Sequence, residues 1–140
     1  ENNFPSLKKD YIDTGKVRWI KRSFSSDQQS IKGTMLLSCV KKDRREGYLK
    51  ILLSKQSNWA YQQDFIEILS NIASLGGMTK QDFNKCMNDD SLEQSIRESD
   101  IRAKDSLDMK GTPSFYVNKK IVEVYSNDSF KNIFDELLDK

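Results

Sequence analysis

Cys39 and Cys86 are the two cysteines of this 140-residue chain, and at 47 positions apart they cannot form a Cys-x-x-Cys pair. Both fall on the apolar side of segments with helical spacing. They therefore read either as two buried, unreactive thiols or as one structural disulfide. The chain contains no histidine. That removes the commonest general base and the commonest metal ligand, and with them Ser–His triads, histidine zinc sites and histidine-dependent metallohydrolases; no metal site is expected. Carboxylates are plentiful, but Asp89, Asp90 and Glu93 stand where helices start and favour the helix dipole, so capping is a better reading than acid–base catalysis. Pro113, taken alone, reads as a trans proline opening a strand. Lys41, Lys42, Arg44 and Arg45 make a dense basic cluster, better read as a solvated connection between helices than as a phosphate site. With a net charge of +2 and no aromatics interleaved in that cluster, nucleic acid is not expected as a partner. For most of Trp19, Trp59, Tyr116 and Tyr125, core packing is a better reading than a ligand groove.

The elements that must position these residues change character along the chain. Pro5–Thr14 reads as a short helix with Leu7, Tyr11 and Ile12 on one face and Gly15 as a left-handed cap. Val17–Phe24 favours a strand, and Arg18, Lys21 and Arg22 place it at a sheet edge. From Ser26 to about Leu107 the helical period holds. Ile31, Met35, Leu36 and Cys39 follow an N-cap at Ser26 or Asp27. Tyr48, Leu49, Leu52 and Leu53 form the next stripe, and Phe65, Ile66, Leu69, Ile72 and Ala73 another, stopped at Gly76-Gly77. Thr79–Asp82 resembles a capping box before Phe83, Cys86 and Met87; Ser91 with Gln94 is a second such start, for Leu92, Ile96, Ile101 and Leu107. Ser114–Val117 and Ile121–Tyr125 then read as two strands joined by Asn118-Lys119-Lys120 into an antiparallel hairpin. Ser126 or Asn127 caps a closing helix with Phe130, Ile133, Phe134, Leu137 and Leu138 on its apolar face.

A helical stretch this long between strands calls for its own packed unit. The expected architecture is α/β, with residues 1–25 and 109–140 forming a small α/β layer and residues 26–108 an inserted helical subdomain. No apolar run approaches the ~20 residues that cross a bilayer. The opening Glu1-Asn2-Asn3-Phe4-Pro5 lacks an initiator Met, so a processed or cut chain is expected.

Several segments, in order and spacing, resemble the DsbA family of thioredoxin-like disulfide oxidoreductases. Phe4-Pro5-Ser6-Leu7-Lys8-Lys9-Asp10-Tyr11-Ile12-Asp13-Thr14-Gly15-Lys16-Val17 resembles the tail of that family's active-site helix and the strand after it. Met35–Val40 is similar to the first helix of its inserted domain, and Asn71–Asp89 to a later helix pair. Gly111-Thr112-Pro113-Ser114-Phe115-Tyr116-Val117-Asn118 is the sharpest match, to the cis-proline loop and the strand it feeds.

The resemblance implies a thioredoxin-like fold with an inserted helical subdomain, N-terminally truncated, since the Cys-x-x-Cys motif and the strand before it would lie upstream of Glu1. It implies that Pro113 is cis, that Thr112 and Pro113 contact an extended substrate peptide through main-chain pairing, and that Cys39 and Cys86 form a non-catalytic structural disulfide. The implied function is thiol:disulfide exchange with no cofactor, on unfolded or extended polypeptides, with a membrane redox partner for a catalytic protein. The helical subdomain would cap the active face. The implied location is the bacterial periplasm or cell envelope. These 140 residues hold no catalytic nucleophile and are expected to be inactive alone. Strand edges left by the missing strand would permit a homodimer by pairing or swapping. The alternative is a non-catalytic thioredoxin-like peptide-binding or assembly module that keeps the groove without the chemistry. A glutathione-transferase or isomerase relative with serine in place of the reactive cysteine is a lesser one.

Overall fold

The computed structural model describes residues 4–107, 109 and 111–139; the opening Glu1-Asn2-Asn3 lies outside them. The chain forms two compact units, one running through Arg22 and resuming at Leu107, the other Ser23–Ser106.

In the first unit, α1 (Phe4–Leu7) passes directly into a π-helical turn, Lys8–Ile12. Gly15 ends it with φ +75°, a left-handed conformation that glycine adopts without steric cost. The strand expected over Val17–Phe24 is absent. A strand exists only by its ladder, and among the described residues the one ladder joins β1 (Phe115–Val117) to β2 (Lys120–Val122). Val17 instead donates its N–H to the Tyr11 carbonyl at 2.9 Å, and Trp19 stacks edge-on against Phe130 at 5.5 Å. Val17 and Trp19 do pack against the core, without a strand ladder to hold them there.

The hairpin is antiparallel, with Phe115 opposite Val122 and Val117 opposite Lys120. Its loop is Asn118-Lys119 alone, one residue shorter than expected, and Lys120 joins the strand. Both loop residues have positive φ, 48° and 69°, the type I′ geometry whose twist matches the strands it connects. β2 stops at Val122, short of the expected Tyr125. Ser126 then caps α8 (Asn127–Leu138), its Oγ accepting from the Ser129 N–H at 3.3 Å. Phe130, Ile133 and Phe134, at i, i+3 and i+4, share one face. Phe130 and Phe134 are buried with Leu7 and Tyr11, and Phe115 meets Phe130 edge-to-face at 5.0 Å. Leu137 and Leu138 are exposed, and Tyr125 is 85% exposed rather than packed.

The second unit is helical: α2 (Gln28–Cys39), α3 (Arg45–Ser54), α4 (Gln56–Trp59), α5 (Phe65–Leu75), α6 (Lys80–Met87) and α7 (Asp90–Leu107). Asp27 caps α2 in a reciprocal box with Ser30. Thr79 caps α6 by accepting from the Asp82 N–H. The cap of α7 is Asp89, which accepts from the Leu92 N–H at 2.9 Å, so Ser91 lies inside the helix rather than at its start. Met35, Leu36, Leu69, Phe83 and Trp59 anchor the core. Trp59 donates from Nε1 to the Leu52 carbonyl at 2.9 Å, and the missing side chain of Gly33 leaves room for its ring. Leu53, Ile66, Ile101 and Leu107 were expected on core faces but are exposed. Helical periodicity places a residue on a face; whether another helix covers that turn is decided elsewhere in the chain. The basic cluster is a braced connection: Arg44 donates to the Gly76 carbonyl and Arg45 to those of Val40 and Ser38.

On α7, Glu93 joins Lys32 at 2.8 Å and Arg97 at 2.7 Å. These hydrogen bonds, Lys32 first, hold its carboxyl at about 2 against an ordinary 4.5. The folded state therefore keeps Glu93 ionised while the unfolded chain takes up a proton near 4.5. The stabilisation is whole above 4.5 and disappears as pH falls toward 2. Glu93→Gln should flatten the loss of stability across that window, read as urea midpoints at stepped pH.

Candidate substrate-contact loop and structural disulfide

Gly111, Thr112 and Pro113 form an exposed bend that leads into β1. The Thr112–Pro113 peptide bond is cis. Two hydrogen bonds brace the bend from either side. Ser114 Oγ donates to the Gly111 carbonyl, and Tyr116 Oη donates to the Leu107 carbonyl at 3.0 Å. Beneath it the Phe115 ring is clamped on Phe130. The side chain after the bend is thus fixed in the core while Thr112 and Pro113 face solvent. Among the described residues β1 has β2 as its sole ladder partner.

The scaffold under this loop is closed by a long-range contact that sequence reading missed. Tyr11 Oη donates to Asp135 Oδ1 at 2.7 Å, tying the turn after α1 to α8. That bond, followed by burial, pushes the Tyr11 hydroxyl up to about 12. No sequence signal marks the pair, since tyrosine and aspartate 124 positions apart carry no common motif.

In the helical unit, Cys39 and Cys86 are joined, with Sγ atoms 2.00 Å and Cα atoms 6.2 Å apart. Cys39 is the last residue of α2 and exposed; Cys86 lies on α6 and is 4% exposed. The bridge thus pins the end of one helix to the last turn of another. A concavity of about 370 Å³ opens against it, lined among others by Lys41, Arg44, Asp82 and Lys85. The loop pair and the cysteine pair fall in separate units. The cations beside the bridge were legible in part: Lys41 follows Cys39 by two positions and Lys85 directly precedes Cys86.

A thioredoxin family model matches residues 1–136. The chain is 33% identical over 139 residues to a Rickettsia typhi protein named "Putative protein-disulfide oxidoreductase", covering 97% of this chain and 51% of the relative. A Rickettsia prowazekii protein of the same name is also 33% identical, with 97% and 50% covered. The chain therefore spans about half the length of the curated relatives it matches. Among solved structures, the crystal structure of Wolbachia pipientis alpha-DsbA1 is 29% identical with a TM-score of 0.81, covering 97% of this chain and 75% of that one. A double cysteine-to-alanine variant of the Wolbachia protein superposes with a TM-score of 0.81 at 27% identity. The fold is thioredoxin-like in its DsbA form, and this chain belongs to the DsbA-type thioredoxin family.

Proposed function

We propose that residues 1–140 supply the peptide-contact loop and the helical unit of a DsbA-like protein-disulfide oxidoreductase. The observation that carries this reading is the match along 97% of the chain to a relative bearing that name. The chemistry is thiol–disulfide exchange: a thiolate attacks a disulfide sulfur, and the departing sulfur leaves as a thiolate. Cys39 and Cys86 are bonded to each other and are the two cysteines present, so they do not form the Cys-x-x-Cys pair that such exchange uses.

In this reading Thr112 offers its backbone to an extended substrate, and Pro113 fixes the bend that presents it. Main-chain pairing is tolerant of side chains, which suits an enzyme acting on many unfolded polypeptides. The location is the bacterial periplasm or cell envelope, where a disulfide such as Cys39–Cys86 persists. A membrane redox partner would reoxidise the reactive pair. The open edge of β1 also suits a second copy of the chain, and homodimer and substrate would then compete for it.

The test separates binding from chemistry. The 140-residue chain should bind a reduced, extended peptide in a titration followed by fluorescence or calorimetry. It should also leave the oxidation rate of a reduced model protein at background. Thr112→Pro removes one backbone donor and should weaken the peptide about tenfold, the equivalent of one hydrogen bond. Full binding by the T112P variant, or binding that persists when the peptide backbone is N-methylated, would sink the main-chain reading.

A further inference from the structure

The geometry points to a second thiol-reactive site at the Cys39–Cys86 bridge itself: we infer that Cys39 accepts a small, carboxylate-bearing thiol of the glutathione class as a mixed disulfide. The assignment rests on the asymmetry of the bridge and the charges around it, and it stands apart from the reading of the Thr112–Pro113 loop.

The two sulfurs are not equivalent. A thiolate must approach the sulfur it attacks from the side opposite the bond that breaks, so access decides the site. Cys39, at the end of α2, is exposed, whereas Cys86 is held in the core at 4% exposure. Attack therefore falls on Cys39. The departing sulfur also has a place prepared: Cys86 Sγ lies 3.3 Å from the Met35 carbonyl oxygen. Once released and protonated, the Cys86 thiol can donate to that oxygen without leaving the core. Buried thiolates are costly, and a protonated thiol with an acceptor in reach removes that penalty.

The concavity against the bridge explains the choice of thiol. Lys41, Arg44 and Lys85 line it with positive charge. Asp82 and Asp89 line it too, and Lys85 acts on Asp89, so three cations against two carboxylates leave the lining with a net charge of +1. The cations can therefore attract the thiolate and steer the carboxylates of the molecule that carries it. At about 370 Å³ the space suits a tripeptide-sized thiol better than a polypeptide segment.

The step balances without another reagent. The thiolate RS⁻ forms an S–S bond to Cys39 Sγ as the Cys39–Cys86 bond breaks. The bonding electron pair leaves on Cys86 Sγ, which takes a proton from solvent. A second RS⁻ attacking the thiol's own sulfur would release RSSR and leave Cys39 reduced, the small thiol being oxidised and the bridge reduced.

The test incubates the oxidised chain with reduced glutathione under native conditions, blocks free thiols by alkylation at intervals, and maps the products by peptide mass spectrometry. Glutathione is expected on Cys39 with the alkylating group on Cys86. Cysteamine, a cationic thiol, should react more slowly than its thiolate fraction dictates. Lys41→Glu and Lys85→Glu should each slow glutathione by about three- to tenfold, as reversal of a nearby surface charge allows, and leave the neutral 2-mercaptoethanol unchanged. Glutathione on Cys86, adducts that form only after denaturant is added, or equal slowing of charged and neutral thiols in the variants would each overturn the assignment.

Discussion

Replacing Cys39 and Cys86 together with alanine should destabilise the helical unit by roughly 4 kcal/mol. The bridge closes a loop of 47 residues, and cross-linking removes that loop's freedom from the unfolded chain. The chain-entropy relation gives about 4 kcal/mol for a loop of this length, within the 2–5 kcal/mol typical of native disulfides. For a unit of this size each kcal/mol moves the melting point by about 4–8 °C, so the expected fall is on the order of 15–30 °C. Urea melts followed by far-UV circular dichroism would measure it, since most of the helix lies in Ser23–Ser106. Wild type treated with dithiothreitol should reach the same midpoint as the variant. A loss below about 1 kcal/mol would mean that the reduced, unfolded chain keeps α2 and α6 together, leaving the bridge little to constrain.

Gly76→Ala should cost about 3 kcal/mol, more than the same change at the neighbouring Gly77. Backbone conformation alone ranks them the other way. Gly77 has φ +84°, where a side chain is strained, while Gly76 sits at φ −86°, open to any residue. Space reverses the order. A Cβ on Gly76 would fall 1.9 Å from Tyr48 Oη and 2.1 Å from Cζ, whereas one on Gly77 meets only Arg44 Nη1 at 3.3 Å. Tyr48 cannot step aside freely, because it is buried and donates to the Ala73 carbonyl at 2.8 Å. Overpacking and a lost buried hydrogen bond together give the larger figure, against about 1–2 kcal/mol for a left-handed alanine at Gly77. Removing only the hydroxyl leaves the ring in the way, so Tyr48→Phe should not relieve Gly76→Ala, while Tyr48→Leu should relieve part of it. A double-mutant cycle from denaturant midpoints decides the matter. Equal losses at the two glycines would mean that the ring moves at little cost.

What could be read in the sequence was local. Asp27, Thr79 and Ser126 announced their helices because a cap is a side-chain oxygen placed next to the N–H groups it satisfies. Gly15 ended its helix for an equally local reason. The hairpin and its loop were visible in β-favouring residues, although the turn proved tighter than Asn118-Lys119-Lys120 suggested. The misreadings concern partners. Val17, Trp19 and Ile20 look like strand residues, but no propensity supplies the neighbouring backbone a strand requires. Ser91 and Gln94 have the spacing of a cap, and Asp89, two residues before Ser91, is the one used. Ile101, Leu107, Leu137 and Leu138 fit an apolar face that the described residues leave uncovered. At the candidate sites, Thr112 and Pro113 were picked out through family resemblance, since Gly-Thr-Pro alone says little. The cysteines could be seen as a possible pair, but their unequal exposure depends on where α2 ends.

The Tyr11–Asp135 hydrogen bond has a consequence for biosynthesis. Its two residues leave the ribosome 124 positions apart, and the core around them needs Phe130 and Phe134 as well as Leu7. Translation proceeds at about 5–20 residues per second, so the early segment waits several seconds or more for its counterpart. Ser23–Ser106 is continuous and built from neighbouring helices, and it can fold on the nascent chain during that interval. Until then Leu7 and Tyr11 lack Phe130 and Phe134 as packing partners. An early-made segment is thereby the last to be secured, and a natural target for a chaperone that holds emerging polypeptides.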